Sequence, residues 1–496
     1  MIGLTAGAAV LRFYGLAHQG FWFDEANTAL LVHLSPGRML GLIPGTESTP
    51  PLYYLVAWVW ARGFGFGEAG LRSLSALAGV LVVPVAYGAA AKLMSRRAGL
   101  IAAALTACNP LLIWYSQEAR SYELLVLLTG VALLGFAYVR ESPSERNLLV
   151  WAIAAALAMA THYYAVVAIA PQAAWLAFEH RRRPPVAIAV GIVAVCGLGL
   201  IPLALSQNAT GHDSWIASAP LHLRLAQILP QFAIGTGAPA RPLLKLLAMA
   251  LTLAALGLLA IRGRPAERRP AALAGGLAIA GFILSLAFVV ADNDALITRN
   301  IIALLLPTVV LVAGGLAVLR ARRAGVIVTL ALCAIGVTAA GGVAAERSLQ
   351  RPDWRLVARA LRAPPASAQS RAILIQHYRT LLPLSLYLPD LKVLPGYGAR
   401  IGELDVISIS SSRQPLCWWG AACNLIPSQM QSRYAIAGFH ALWRRDVAQF
   451  EIMRLVADRP VLLTRSAVAS ALRTTTLRRD DLLVGPPSAG QRPPGG

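Results

Sequence analysis

Long apolar runs alternate with short polar segments from the start of the chain to about residue 345. A transmembrane helix needs about 20 apolar residues, and shorter helices occur inside a bundle. The pattern therefore predicts a series of membrane helices. The runs that fit are 1–17, 50–66, 70–91, 98–115, 121–139, 147–162, 164–180, 186–205, 242–261, 271–291, 300–319 and 324–343.

The run 50–66 fits a transmembrane helix least well. It begins with Pro50-Pro51, contains Arg62 and is dense in tryptophan and phenylalanine. This composition is typical of a helix that lies in the membrane interface. We therefore expect an α-helical polytopic membrane protein with about eleven transmembrane helices and one interfacial helix.

Basic clusters predict the orientation. If the run 50–66 does not cross the membrane, all the clusters between later runs fall on one side: 92–97, 140–146, 180–183, 262–269 and 320–323. Lys and Arg accumulate in cytoplasmic loops, so this side is predicted to be cytoplasmic. The outer face then carries the remaining connections and the C-terminal part: 18–69, 115–121, 206–241, 292–299 and 346–496.

Composition supports a membrane protein and argues against a soluble one. The 496 residues are 57% apolar and 14% charged, and the mean hydropathy is +0.61. A soluble protein of this size needs more charge to cover its surface. The net charge of +21 is divided among the clusters between apolar runs, so nucleic acid is not an expected partner.

After residue 345 the pattern changes to that of a soluble domain. Short apolar runs at 372–375 and 461–463 are typical of buried strands, and 353–362 is typical of a helix. We expect a small extracytoplasmic α/β domain over 346–484, following a membrane module over 1–345. The tail 485–496 is rich in Pro and Gly and is predicted to be disordered.

Two cysteines stand apart in this polar region. Cys417 and Cys423 are close in sequence, whereas the other cysteines lie in apolar runs. If the region faces an oxidising compartment, the two are candidates for a short-loop disulfide. Two free thiols are the alternative.

Two carboxylates, Asp24 and Glu25, follow the first apolar run and stand next to Trp22. Carboxylates beside hydrocarbon cost free energy unless they are paired, hydrated or functional. We therefore treat the pair as candidate catalytic acids. An acidic helix cap at the membrane surface is the alternative.

Three further clusters are predicted on the same outer face. Glu118 lies near Arg120 and Tyr122, where a surface salt bridge is the alternative. His162 lies between two adjoining runs, where a structural histidine is the more common case. Arg299 follows two aspartates; it can bind a phosphate with two hydrogen bonds, or serve as an interfacial anchor.

Acids and arginines on one face suit transfer of a group from a phosphate-linked donor. A carboxylate removes a proton from the acceptor, and cations stabilise the charge that grows on the departing phosphate. A proton-driven transporter would instead carry ionisable groups in the middle of its spans. Such acids are almost absent here, and no inverted repeat is evident, so a transporter is disfavoured.

Several stretches resemble glycosyltransferase family 39, the polytopic enzymes of the dolichyl-phosphate-mannose–protein mannosyltransferase type with the GT-C fold. The resemblance is greatest to a bacterial branch that includes aminoarabinose and galacturonosyl transferases. Arg299 with Pro307, and the stretch 351–355, resemble later elements of such proteins. The main matching stretches are Phe21-Trp22-Phe23-Asp24-Glu25, Pro50-Pro51-Leu52-Tyr53-Tyr54, Asn109-Pro110 with Tyr115 to Tyr122, and Thr161-His162-Tyr163.

The resemblance implies a sugar donor carried on a polyprenyl phosphate and an inverting attack by an acceptor hydroxyl on a lipid, glycan or protein. It implies that Asp24 is the base, with Glu25 as its partner and Glu118 as a second acid. It also implies a multi-pass protein of the bacterial inner membrane, with the site and the C-terminal domain on the periplasmic side.

The resemblance further assigns the donor site. Arg120, Arg299 and Tyr122 would face the donor phosphate. Many relatives carry His or Lys before the two prolines, whereas this chain has Thr49. The phosphate contact of those relatives is either missing here or supplied by another residue, for which Arg120 is the candidate. The remaining pocket residues would be Trp22, Pro50, Pro51, Tyr53, Gln117, His162 and Tyr163.

No cofactor is required by this chemistry, and no metal-ligand spacing is present. A divalent ion held by Asp24, Glu25 and Glu118 is the alternative. Two other functions compete with a glycosyltransferase: a flippase for polyprenyl lipids or lipopolysaccharide, and a noncatalytic subunit of envelope assembly.

Overall fold

A computed structural model describes residues 1–362, 370–375, 378–389, 391–395, 397–409, 426–427, 436–471 and 482–484. Cys417, Cys423 and the tail 485–496 lie outside these residues, so the disulfide and the disordered tail stay predictions. The chain divides into two compact units. Unit 1 is Met1–Leu16 with Leu31–Val343, and unit 2 is Ala17–Leu30 with Ala344–Gly496.

The chain up to residue 345 is helical. Short 3-10 turns lie at Tyr163–Ala165, Ile302–Leu304 and Leu319–Ala321. The α-helices are α1 (Ile2–Phe13), α2 (Phe23–Val32), α3 (Pro36–Thr46), α4 (Leu52–Phe64), α5 (Glu68–Leu93), α6 (Arg96–Cys108), α7 (Pro110–Ser116), α8 (Tyr122–Glu141), α9 (Glu145–Thr161), α10 (Val166–Glu179), α11 (Pro184–Gly199), α12 (Ile201–Asn208), α13 (Ser214–Ala217), α14 (Leu221–Ile234), α15 (Arg241–Arg262), α16 (Pro265–Val290), α17 (Leu305–Leu316) and α18 (Arg322–Ala345).

Among the described residues, 6 helical segments are long and apolar enough to cross a membrane, or 7 if α6 and α7 form one span. The chain therefore has the character of a membrane protein. The expected count of about eleven spans is not confirmed, because several of the predicted helices are short. For example, α1 has 12 residues and α17 also has 12. The long segments are Glu68–Leu93, Tyr122–Glu141, Pro184–Asn208, Arg241–Arg262, Pro265–Val290 and Leu319–Ala345.

The predicted run 98–115 is not one straight helix. It bends by 57° between α6 and α7. Pro110 cannot donate a backbone hydrogen bond, and so it starts a new helix. The Asn109 side chain caps that helix by accepting from the backbone N–H groups of Leu111 and Leu112, both at 3.0 Å.

Arg12 binds the last turn of α6, just before this bend. Its guanidinium is fully buried and donates to the carbonyl oxygens of Thr106 and Ala107, both at 3.0 Å. These carbonyls belong to the last turn of α6, where oxygens have no partner within the helix. The fully buried Glu123 at the start of α8 interacts electrostatically with Arg12. This proximity of Arg12 and Glu123 was not predicted from the sequence.

Gly79 on α5 provides the space for the pair. A Cβ atom at this position would lie 2.1 Å from Ser116 Oγ, 2.9 Å from Arg12 Nε and 3.0 Å from Glu123 Oε2. Only a residue without a side chain fits this approach without a shift of its neighbours.

Unit 2 contains, over its described part, a 7-stranded sheet in the order β2-β7-β1-β3-β6-β5, with β4 paired to β3. β1 is parallel to β3, and β6 is antiparallel to β3. The small C-terminal α/β domain expected from the sequence is thus present. Its elements are α19 (Trp354–Leu361), β1 (Arg371–Leu374), α20 (Tyr378–Tyr387), β2 (Lys392–Val393), β3 (Ala399–Ile409), β4 (Ile426–Pro427), β5 (His440–Val447), β6 (Phe450–Leu463), α21 (Arg465–Ala471) and β7 (Leu482–Val484).

The close packing at Gly79 predicts that substitution by alanine has opposite effects on the free energy of unfolding at Gly79 and at Gly276. Gly79→Ala should lower the free energy of unfolding by about 1–3 kcal/mol, because the methyl group displaces the buried pair. Gly276→Ala is the matched control, since nothing lies within 4 Å of its Cβ position in α16. There alanine should be neutral or stabilising by about 0.4–1 kcal/mol. Thermal unfolding in detergent measures both, and equal effects would contradict the packing argument.

Candidate functional site

Asp24 and Glu25 lie in the first turn of α2, where carboxylates are favoured by the helix dipole. Glu25 is fully buried, and its Oε2 accepts from the backbone N–H of Trp22 at 3.4 Å. Asp24 is half-buried. Glu25 therefore contacts the residue that precedes its own helix. The segment that carries these three residues belongs to unit 2.

The other predicted site residues lie in unit 1, where Arg120 forms an ion pair that sequence analysis missed. Arg120 Nη1 lies 2.9 Å from Glu47 Oε2 and 3.2 Å from Glu47 Oε1. Both side chains are buried, with exposed fractions of 9% for Arg120 and 3% for Glu47. Glu47 stands three residues before Pro50, and a lone acid beside an apolar run was the available signal.

The turn 117–121 holds Arg120 and the fully buried Glu118. The Arg120 N–H donates to the Glu118 carbonyl at 2.8 Å, which closes the turn. Gln117 Nε2 donates to the carbonyl oxygens of Leu11 and Tyr14 at 3.2 and 2.9 Å. Gln117 thus attaches the turn to the end of α1, which is a structural contact.

Thr49 takes part in a hydrogen-bond chain that links two predicted motifs. Its hydroxyl lies 3.0 Å from the Tyr54 hydroxyl, and its carbonyl accepts from Gln207 Nε2 at 3.1 Å. Gln207 Oε1 accepts from the Tyr163 hydroxyl at 2.7 Å. The residues around Pro50-Pro51 are therefore connected to Tyr163 through Gln207, which lies near the end of α12. Tyr53 is buried, with its ring against that of Tyr54.

His162 lies between α9 and the following 3-10 turn, and its Nδ1 accepts from the Tyr164 N–H at 3.2 Å. Burial, reinforced by the positive charges of Arg120 and Arg299, lowers the pKa of His162 to about 3. The ring is therefore neutral near pH 7, with its proton on Nε2 because Nδ1 is an acceptor. Its ring centre lies 5.8 Å from that of Tyr122. Unit 1 thus brings together four predicted site residues: Arg120, Tyr122, His162 and Arg299.

Arg299 is held in place by aromatic rings. Its Cζ lies 6.0 Å from the ring centre of Tyr122 and 5.5 Å from that of Trp215. At these distances the ring faces attract the guanidinium by cation–π interactions. Trp215 was not singled out from the sequence, although the outer loop that contains it was.

Arg224 fixes the turn that precedes Arg299. Its two terminal nitrogens donate to the carboxylate of Asp294 at 2.7 and 2.6 Å, and Nη1 also donates to the Leu296 carbonyl at 2.9 Å. These hydrogen bonds hold the pKa of Asp294 below its usual value. Asp294 is therefore used to orient the turn. Arg224 lies on α14, and sequence analysis did not identify it.

An apolar cavity of about 450 Å³ opens within unit 1. Its lining includes Phe232 from α14, Phe282 from α16, and Ile301, Leu304 and Leu305 from the segment after Arg299. The volume falls in the range of small-molecule pockets, and the walls suit a hydrocarbon. Within the described ranges, no group of three or more His, Cys, Asp or Glu side chains is placed to hold a metal ion.

The buried pair of Glu47 and Arg120 predicts non-additive stability. Glu47→Leu leaves the arginine buried without its counter-ion and should cost about 3–5 kcal/mol. The double variant Glu47→Leu/Arg120→Met removes both charges and should be more stable than Glu47→Leu alone. Thermal unfolding of the single and double variants measures this coupling; simple addition of the two single effects would contradict it.

The neutral His162 predicts a pH dependence of stability. An unfolded histidine has a pKa of about 6.5. The unfolded chain therefore binds a proton below that pH, whereas the folded chain does not, and stability falls as the pH falls toward 3. Between pH 6.5 and 5 the wild type should lose about 2 kcal/mol more than His162→Gln. His222→Gln, at an exposed histidine on α14, is the control and should keep the wild-type slope. If the stability of His162→Gln fell with pH as steeply as that of the wild type, the burial argument would be contradicted.

Comparison with known proteins relates this site to glycosyltransferases. Residues 48–205 match the family model for dolichyl-phosphate-mannose-protein mannosyltransferase. This stretch includes Pro50-Pro51, Arg120 and His162, and the resemblance found in the sequence is confirmed. No curated protein matches the chain.

Solved structures show the fold. ArnT from Cupriavidus metallidurans bound to undecaprenyl phosphate aligns with a TM-score of 0.51 and 13% identity, over 91% of this chain and 97% of that chain. Apo ArnT from the same organism gives 0.47 and 18% identity, over 74% of this chain and 66% of that chain. The Archaeoglobus fulgidus oligosaccharyltransferase tethered with an acceptor peptide aligns with a TM-score of 0.44 and 11% identity, over 89% of this chain and 72% of that chain. The alignment with ArnT bound to undecaprenyl phosphate shows that the chain has the GT-C fold of that protein.

Proposed function

We propose that this chain transfers a sugar from a polyprenyl-phosphate donor to an acceptor hydroxyl. The observation that carries the proposal is the placement of Arg299 directly before the segment that lines the apolar cavity. A polyprenyl phosphate has a hydrocarbon tail and an anionic head, which suits this pairing of cavity and cation. The ArnT structure with the same fold holds undecaprenyl phosphate.

Arg299 and Arg120 are the two candidate phosphate ligands. Arg120 forms an ion pair with Glu47 at 2.9 Å. Arg299 is half-buried, its Cζ lies 6.0 Å from the ring centre of Tyr122 and 5.5 Å from that of Trp215, and the segment that follows it lines the apolar cavity. Arg120 then supports the site through its charge, and Tyr122 forms one wall.

In the proposed reaction Asp24 accepts the proton of the acceptor hydroxyl as its oxygen attacks the anomeric carbon. The bond between that carbon and the phosphate oxygen breaks, and the configuration inverts. Polyprenyl phosphate leaves with the bonding electrons, and Arg299 stabilises its growing charge. Glu25, next to Asp24 in the chain, supports it. The family resemblance assigns the role of second acid to Glu118 and pocket roles to Trp22, Pro50, Pro51, Tyr53, Gln117, His162 and Tyr163.

The membrane arrangement is part of the proposal. We infer about eleven transmembrane helices, with α4 in the interface because its 13 residues are too short to cross. The residues 1–345 would form the membrane module and 346–484 a periplasmic domain in a bacterial inner membrane. Lipid, glycan and protein acceptors all fit an outward-facing site. The reaction needs no cofactor, and a divalent ion near the acids is the alternative.

Two variants should separate chemistry from donor binding. Asp24→Asn should lower transfer about 10²–10⁴-fold, because the base is lost, while binding of undecaprenyl phosphate stays unchanged. Arg299→Ala should weaken that binding about 10–100-fold, because charge-assisted hydrogen bonds are lost. Transfer is measured with the lipid-linked sugar fraction extracted from native membranes, and binding with pure undecaprenyl phosphate.

Two controls make the result specific. Undecaprenol lacks the phosphate and should bind wild type and Arg299→Ala alike. Arg323→Ala removes an exposed arginine from a basic cluster and should change neither quantity. Full transfer by Asp24→Asn would exclude the proposed base, and if the variant still moved lipid across vesicles a flippase would be favoured instead.

A further inference from the structure

The segment that carries Asp24 is held by residues more than 300 positions later in the chain. The Gly20 N–H donates to Asp353 Oδ1 at 3.1 Å, and the Phe21 N–H donates to the Tyr387 hydroxyl at 2.6 Å. The stretch 14–22 contains no regular secondary structure. The C-terminal domain thus supplies hydrogen-bond partners to the backbone of Gly20 and Phe21, directly before Asp24.

Arg355 adds a second contact from the same domain. Its Nη2 donates to the carbonyl oxygens of Ala17 and His18 at 2.8 and 2.9 Å. The backbones also approach closely: a Cβ on Gly20 would lie 2.7 Å from Arg355 Cβ and 2.8 Å from Asp353 Oδ1. The glycine is thus needed for this contact.

Asp353 is itself rigidly held. Its Oδ1 also accepts from the Leu356 N–H at 3.2 Å and so caps α19. The next residue, Trp354, packs on Phe450 with ring centres 4.5 Å apart. Gln449 Nε2 donates to the carbonyl of Arg351 at 3.0 Å. The strands β5 and β6 therefore support the residues that contact Gly20.

We propose that Asp353, Arg355 and Tyr387 are positioning residues that fix the loop 17–22 and thereby set the position of Asp24. The C-terminal domain is then part of the catalytic machinery, and this inference rests on the proposed function of Asp24. A carboxylate that must accept a proton from the acceptor hydroxyl tolerates little displacement, since a shift of about 1 Å can lower the rate about 10²-fold.

The kinetic test compares variants of the two polar contacts. Asp353→Ala and Arg355→Ala should each lower kcat about 10–100-fold. The KM for the extracted lipid-linked sugar should stay within about twofold, because the proposed phosphate and tail sites lie in the other unit. Asp353→Asn should keep most activity, because the amide oxygen accepts the same two N–H bonds. Arg359→Ala, at an exposed arginine on α19, is the matched control and should behave as wild type.

A structural measurement runs in parallel with the kinetics. Hydrogen exchange of the Gly20 and Phe21 amides should accelerate in Asp353→Ala, and stay slow in Asp353→Asn and Arg359→Ala. Gly20→Ala tests the same contact from the loop side without changing the C-terminal domain. It should also accelerate exchange and lower kcat, which covers the case in which Asp353→Ala fails to fold.

The outcomes separate this inference from the function on which it rests. Unchanged kcat in Asp353→Ala and Gly20→Ala, with accelerated exchange, would overturn the positioning role while Asp24→Asn still abolished transfer. Exchange that stays slow in both variants would overturn the contact itself. Full transfer by Asp24→Asn would overturn the proposed function and the inference with it.

Discussion

Charge inside an apolar helical bundle has to be compensated, and unit 1 meets this constraint by pairing two of its buried arginines with acids. Arg120 pairs with Glu47 and Arg224 with Asp294, whereas the buried Arg12 donates to the backbone carbonyl oxygens of Thr106 and Ala107. Each removed charge would leave its partner buried and uncompensated, which is far more costly than the loss of a surface pair. The three arginines also donate to, or lie beside, turns between helices. The contacts of these arginines therefore also help to place the residues of the candidate site.

This pairing explains why the site contains a neutral histidine beside arginines. His162 is buried near Arg120 and Arg299, and both burial and the positive charges keep it unprotonated. A protonated ring would add a third cation to the cluster. Arg120 is paired with Glu47, and Arg299 lies two residues before Ile301, one of the residues that line the apolar cavity. The proposed amphipathic anion suits an arginine that adjoins an apolar cavity wall in the chain.

The local features of the fold could be predicted from the sequence. Apolar runs became helices, and the short runs after residue 345 became strands, because hydrophobic periodicity decides both. The break at Asn109-Pro110 was readable in principle, since a capping residue followed by proline starts a helix. The predicted motifs around Arg120, Tyr122, His162 and Arg299 do meet in unit 1.

Non-local pairings could not be predicted in this way. Glu47 pairs with a residue 73 positions away, and Gly20 with one 333 positions away. Neither partner is marked by periodicity or motif spacing. The sequence divided the chain at residue 345, whereas residues 17–30 group with the C-terminal part. Trp215 and Arg224 lie within 206–241, which the sequence predicted as an outer connection, and their contacts depend on the folded chain.

The central claim is that the chain consumes a polyprenyl-phosphate-linked sugar. Mass spectrometry of lipid-linked sugars and envelope glycans in cells that lack the chain tests it most directly. The account predicts that one polyprenyl-phosphate sugar accumulates, that one envelope glycan loses the same sugar, and that the wild-type gene restores both. Unchanged levels of every lipid-linked sugar, with an unchanged envelope, would contradict it.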